Sequence, residues 1–370
     1  MKNQHKITEQ SEIFAHSRFP QEVFFGEMFT AVKRSAAAVA ASALLTADAA
    51  PWKRIDPEDA GFDREKLAEL PKFIKANSGC TSMLVAVDGK IVFTYGDVTK
   101  VSVIASCRKS ILSMLYGKYV ADGTIDLDRT VGELGIDDLG GLLPQEKLAT
   151  VYDLVTSRSG VYHVSATLGG DTSKFERGKT PHGTKFVYNN WDFNVAGTVF
   201  TMLTGKGIYE AFNEDLAIPL GLEDYDHKIH KLTGNAKVSQ HLGYHFYLSA
   251  RDMARLGELM WSNGVWNGQT LVPECWVKRS TSLVSPLAKS PYLAGYGILW
   301  WILKSDVHRE LEGGFAATGV YGQYIVIVPK LGMVVAFKSA GNQDRPTSAP
   351  QFFAILDRLL AARKKAPPRV

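Results

Sequence analysis

Beyond residue 51, strand-forming segments stand at the two ends of the chain, around a long middle rich in helix signals. This arrangement constrains the fold more than any other feature of the sequence. Met83-Leu84-Val85-Ala86-Val87 and Ile91-Val92-Phe93-Thr94-Tyr95 flank Asp88-Gly89, a pair suited to a type I′ turn, and so read as a hairpin. Far downstream, Tyr324 to Val328 and Met333 to Phe337 repeat that pattern around Pro329-Lys330-Leu331-Gly332. Between them, from about 126 to 285, helix signals such as Ala250 to Met260 alternate with Gly-containing loops. A final helix carries Phe352, Phe353, Leu356, Leu359 and Leu360 on one face. Strands this far apart in sequence are expected to meet in one sheet. The fold class is therefore α/β, of the α+β kind. Residues 51–105 and 286–370 form an α/β domain, and residues 106–285 form a mainly helical domain with a candidate nucleophile helix at the boundary.

Composition narrows the function classes. The 370 residues are 45% hydrophobic and 22% charged, which describes an ordinary globular chain. Lys+Arg of 42 against Asp+Glu of 38 leaves a net charge of only +4, and the basic residues from Arg363 to Arg369 read as a solvated end, so no nucleic-acid partner is expected. Cys80, Cys107 and Cys275 form no C-x-x-C, so neither a disulfide framework nor a zinc site is indicated. His241 and His245 lack the glutamate of a zinc-protease helix, and the G-x-S-x-G elbow and both glycine-rich nucleotide loops are missing. No metal or cofactor is expected, and the composition does not set the oligomeric state.

Residues 1–50 read as a leader. From Met28 the order is Lys33-Arg34, an Ala-rich run through Leu44 and Leu45, then Ala47-Asp48-Ala49, which is the order of a signal peptide, and no run is long and apolar enough to span a membrane. Export is the expectation, with a cytoplasmic protein behind an Ala-rich helix as the alternative. Expressed from its native start in a bacterial host, the protein should lose everything before Ala50 or Pro51 and appear outside the cytoplasm. An intact Met1 terminus in the cytosol, read by mass spectrometry of the fractions, would refute this.

The chemistry is concentrated in three short motifs. Ser106-Cys107-Arg108-Lys109 opens a segment in which Ile111, Leu112, Leu115, Tyr116, Tyr119 and Val120 recur at helical spacing before Gly123, so the spacing predicts a buried amphipathic helix that starts at Ser106. Side chains three apart on a helix lie about 5 to 6 Å apart at Cβ, within reach of a hydroxyl–amine contact. Burial and the positive end of the helix both favour the neutral amine that a base must be. Tyr188-Asn189-Asn190 supplies a phenol with enough phenolate character to relay protons, and an amide at Asn190 able to hold Lys109 and meet a substrate carbonyl. Ala317-Thr318-Gly319 lies between strand-like segments. Either of the first two motifs alone is common helix-start or core sequence; together, in this order, the three point to an acyl-transferring serine hydrolase.

The set Ser106-x-x-Lys109, Tyr188-x-Asn190 and Ala317-Thr318-Gly319 resembles that of the serine beta-lactamase and penicillin-binding-protein superfamily, on the class C-type branch that includes esterases and the 6-aminohexanoate-dimer hydrolase. Asp153-Leu154-Val155-Thr156-Ser157-Arg158-Ser159-Gly160, Pro219-Leu220-Gly221-Leu222 and Ser249-Ala250-Arg251-Asp252-Met253-Ala254 are similar to further stretches of that branch. The likeness spans about residues 51 to 360. It implies an antiparallel sheet flanked by helices and packed on a helical domain, with the site between them. It also implies that the Ser106 and Val320 N–H groups hold the oxyanion. Where the family's third motif begins with Lys or His, this chain has Ala317, which the resemblance associates with esters and amides rather than beta-lactams.

The expected activity is hydrolysis of a small-molecule carboxylic ester or amide through an acyl-enzyme on Ser106. Lys109 is the base, Tyr188 the proton relay, and Asn190, Ala317, Thr318, Gly319 and Val320 line the substrate and oxyanion side. Phe315, Tyr321 and Trp191 are expected to make the walls apolar. The alternatives are a cell-wall D,D-peptidase of the penicillin-binding type or a beta-lactamase and, from another class, a non-catalytic acyl-binding or sensor protein.

Overall fold

The computed structural model describes residues 52–170, 172–306, 308–340 and 345–364. Residues 1–50, read above as a leader with an expected export signal, lie outside the described residues. Strand β1 (Cys80–Val87) turns into β2 (Lys90–Gly96) through Asp88 and Gly89, at φ 46° and 72°, the left-handed pair that the Asp-Gly turn requires. Six further strands come late in the chain: β3 (Ser285–Pro286), β4 (Leu293–Tyr296), β5 (Trp301–Leu303), β6 (Phe315–Gly319), β7 (Gln323–Val328) and β8 (Met333–Ser339). They form one sheet in the order β2-β1-β8-β7-β6-β5-β4-β3, with every neighbouring pair antiparallel. The widely separated ends join at β1 and β8, where Met83 sits opposite Phe337 and Val87 opposite Met333.

Side chains alternate across a strand, so each strand feeds two cores. Met83, Val85, Val335 and Phe337 point to one side, where α1 (Arg64–Asn77) and a late helix, Ala349–Ala361, cover them with Leu67, Leu70, Phe352, Leu356 and Leu359. Leu84, Ala86, Val334, Ala336, Ile325 and Ile327 point to the other. That face is covered by α2 (Cys107–Ala121), α3 (Asn190–Thr204) and α4 (Ala250–Trp261); the late helix is α5. Each fully buried Leu or Phe stabilises the fold by about 2 kcal/mol, so two filled faces hold the sheet firmly between helices. Helix α4, although it comes from the middle of the chain, packs on β8, β7 and β1.

Two of the similar stretches have structural reasons. Ser249 caps α4 by accepting from the Asp252 N–H, and the Asp252 carboxylate takes the Glu223 N–H of the loop that follows Pro219-Leu220-Gly221-Leu222. Helix α2 departs from the expected amphipathic form, because nearly its whole circumference is buried. It is wedged between β6 and β7 on one side and α3 and the helix Glu274–Ser280 on the other. Two of its buried polar groups are satisfied by backbone far along the chain: the Ser110 and Ser113 hydroxyls donate to the Leu299 and Ile298 carbonyls at 2.7 and 2.8 Å.

Candidate active site

Ser106 occupies the N-cap position immediately before α2, but its side chain does not cap the helix. Its φ and ψ are −72° and −7°, already helical, and its hydroxyl accepts no backbone N–H. A serine at this position ordinarily spends its oxygen on the helix end. Here Ser106 Oγ lies 2.7 Å from Lys109 Nζ instead. The residue before it, Ala105, sits at φ 47°, a left-handed conformation that costs a non-glycine residue roughly 1 kcal/mol and turns the chain sharply into the helix.

Lys109 is 2% exposed, and its amine lies 4.8 Å from the ring centres of both Tyr188 and Phe193. Burial, reinforced by the Arg108 charge, pushes its pKa well below the usual lysine value. A neutral amine accepts the serine proton, which is what the 2.7 Å contact allows.

Tyr188 precedes α3, and a network holds it there. The Ser157 hydroxyl donates to the Val187 carbonyl at 2.8 Å and accepts from the Asn189 N–H at 3.1 Å, so Tyr188 is bracketed on both sides. Asn189 caps α3 through the Trp191 N–H and donates to Asp192 Oδ1 at 3.0 Å; Ser159 donates to the same oxygen at 2.6 Å. Burial raises the Asp192 pKa well above the usual carboxylate value. The stretch from Asp153 to Gly160 thus serves as the mount for Tyr188. The tyrosine itself differs from the sequence expectation. Burial pushes its pKa up to about 12, against the opposing pull of Ser106 and Arg108, so it is a neutral phenol at pH 7, not a partial phenolate.

Asn190 is 5% exposed, and its amide donates to the Leu168 carbonyl, while its own oxygen, Oδ1, has no hydrogen-bond partner among the described residues. The expected hydrogen bond to Lys109 is not among those formed, because the lysine amine is turned to Ser106 and the amide to the 165–170 loop. Ala317 is fully buried on β6, Thr318 and Gly319 are half-buried, and Val320 is 58% exposed in the following turn. A side chain on Gly319 would meet the Ile104 carbonyl at 2.6 Å. Glycine there lets the end of β6 lie against the backbone that leads into Ser106, which brings the first and third motifs together.

The wall residues need correction. Trp191 is fully buried, donating to Asp138 Oδ2 at 2.8 Å, and Phe315 is buried edge-on to Trp300. Both belong to the core, since one lies on the inner face of α3 and the other on the inner face of β6. The rings around Tyr188 are Phe193, Tyr296 and Trp301, the last stacked at 5.3 Å. Sequence reasoning missed Trp301 and Asp192, and gave Ser157 and Ser159 only as part of a similar stretch, without a role. Asp192 left a signal, as an acid among the aromatic and apolar residues of its helix turn.

A model of the beta-lactamase family matches residues 70–359. Among solved structures, a protein described as a 6-aminohexanoate-dimer hydrolase from Bacillus anthracis superposes with a TM-score of 0.62 at 20% identity, over 84% of this chain and 86% of its own. A penicillin-binding-protein homologue from Caulobacter crescentus gives 0.59 at 15% identity, over 82% and 99%. A beta-lactamase from Mycobacterium bovis gives 0.57 at 18% identity, over 79% and 98%. An uncharacterised protein of Alkalihalophilus pseudofirmus is 30% identical over 106 residues, a match spanning 26% of this chain and 32% of that relative's length.

Proposed function

The chain belongs to the beta-lactamase family, whose fold is that of a serine hydrolase, and from that premise we propose that it cleaves a neutral carboxylic ester or amide through an acyl-enzyme on Ser106. The observation that carries this reading is the 2.7 Å contact between Ser106 Oγ and a buried, deprotonation-prone Lys109 Nζ. Lys109 takes the serine proton as Oγ attacks the substrate carbonyl, and the Ser106 and Val320 N–H groups receive the developing oxyanion. The neutral Tyr188 phenol passes its proton to the leaving oxygen or nitrogen and is reprotonated by the Lys109 ammonium, which returns the amine to its neutral form. Water then attacks the acyl-enzyme by the reverse relay. The free Asn190 Oδ1 can accept from an amide N–H of the substrate.

Substrate preference rests on Ala317 and the aromatic rings. An anionic substrate group entering a partly desolvated cleft needs a cation or several donors, and Ala317 supplies neither. Because Ala317 is fully buried, a cationic side chain placed there would overpack the strand, which costs typically about 1 to 3 kcal/mol. Trp301, half-buried and stacked on Tyr188, favours an apolar acyl group. Short-chain nitrophenyl esters are expected to be hydrolysed with kcat/KM at least about tenfold above that of a cephalosporin, equivalent to about 1.4 kcal/mol of transition-state binding. Parallel steady-state assays decide the matter, and cephalosporin turnover equal to or faster than ester turnover would restore the beta-lactamase reading.

A further inference from the structure

Arg108 is an uncompensated buried cation next to the candidate base. It is 2% exposed. One arm, Nη2, donates to Asn194 Oδ1 at 2.9 Å, and the guanidinium carbon lies 4.2 Å from the centre of the Tyr244 ring. The other arm, Nη1, is buried with no hydrogen-bond partner among the described residues. The other buried arginine, Arg255, has Glu223 at 3.9 Å and shares its helix with Glu258. Arg108 has no carboxylate within ion-pair distance among the described residues. Its anchor, at position 194, is a neutral asparagine whose own Nδ2 is committed to Ser165, Thr167 and the His241 carbonyl.

The groups around the pair leave the charge open. Lys109 has Ser106, Cys107 and Arg108 on its own helix, Tyr188 in front of α3, and His245 within electrostatic range from the strand Gly243–His245. Arg108 acts on Tyr188, Tyr209, Tyr244, Tyr296 and His245. Burial keeps the four phenols protonated, and burial with Arg108 and Lys109 lowers His245 to about 4, so at pH 7 all five are neutral. An unpaired buried charge costs the fold free energy, and two adjacent ammonium-type charges in a dry helix start repel each other. We propose that Arg108 is a positioning residue that adds to burial in favouring the free amine of Lys109, by placing an unneutralised guanidinium on the adjacent residue of the helix, an inference that rests on the hydrolase reading above.

The test is a pH profile. Ser106 is labelled with a fluorophosphonate from about pH 5 to about pH 10, and Lys109 is followed independently by NMR of ε-13C lysine, its resonance assigned with Lys109→Met. In the unaltered protein the acid limb of labelling and the Lys109 titration should coincide. Arg108→Gln should move both upward by about one pH unit or more, cutting labelling on the acid limb by about tenfold while the alkaline plateau survives. Asn194→Asp, which puts a carboxylate on the guanidinium without removing it, should shift both in the same direction and decides the question if Arg108→Gln does not fold. Loss of labelling by the same factor at every pH, with the Lys109 midpoint unmoved, would show that Arg108 only packs and would overturn the proposal. Absence of labelling in the unaltered protein would refute the hydrolase reading instead, and the lysine titration would still decide the role of Arg108.

Discussion

Ser106→Ala is expected to abolish ester turnover, a fall of at least about 10⁴-fold in kcat, and to eliminate covalent labelling, while leaving the fold intact. The first half follows from removing the only hydroxyl placed 2.7 Å from Lys109 among the described residues. The second follows from the helix start. Replacing a serine N-cap usually costs about 1 kcal/mol, but the Ser106 hydroxyl makes no cap bond, so that loss does not arise here. Intact mass after labelling and a melting curve read the two halves separately. Persistent labelling of the variant would move the nucleophile elsewhere, and a large drop in melting temperature would assign the serine a structural task.

Lys109→Met should lower kcat/KM by at least about 10²-fold, the low end for loss of a positioned general base. The change should also hold or raise stability at neutral pH. Burial depresses the folded-state pKa of Lys109 below its unfolded value near 10.4, so between those two values the unfolded chain binds the extra proton. Stability therefore rises with pH across that window, and the cost of burying the amine is greatest below the folded pKa. Methionine keeps most of the volume and removes the titration. Denaturant melts at pH 7 and pH 9 should show a smaller pH dependence in the variant than in the parent. Near-parental turnover would remove Lys109 from the chemistry.

Much of this was legible because it depends on local rules. Asp88-Gly89 declares its turn, the unbroken apolar runs of β7 and β8 declare two buried faces, and the spacing of Ser106 and Lys109 brings them together on any helix. What stayed hidden depends on tertiary placement. Trp191 and Phe315 lie close in sequence to candidate site residues yet turn into the core, while Trp301, more than a hundred residues from Tyr188, stacks on it. The phenol's protonation was misjudged because sequence reveals a neighbouring cation but not the burial that outweighs it. No sequence signal marks Arg108 as buried; Asn194 of α3 and the Tyr244 ring enclose it.

The pairing of Cys80 with Ser339 has a consequence for how the protein is made. On the ribosome, the Ser106–Lys109 segment emerges long before β6 and β8, and contacts of such high sequence separation form slowly. Until those strands arrive, α2 lacks the sheet that dries it, and Lys109 is an ordinary solvated, protonated lysine. Under the proposed mechanism, a partly synthesised chain therefore carries the candidate nucleophile without a neutral amine to activate it.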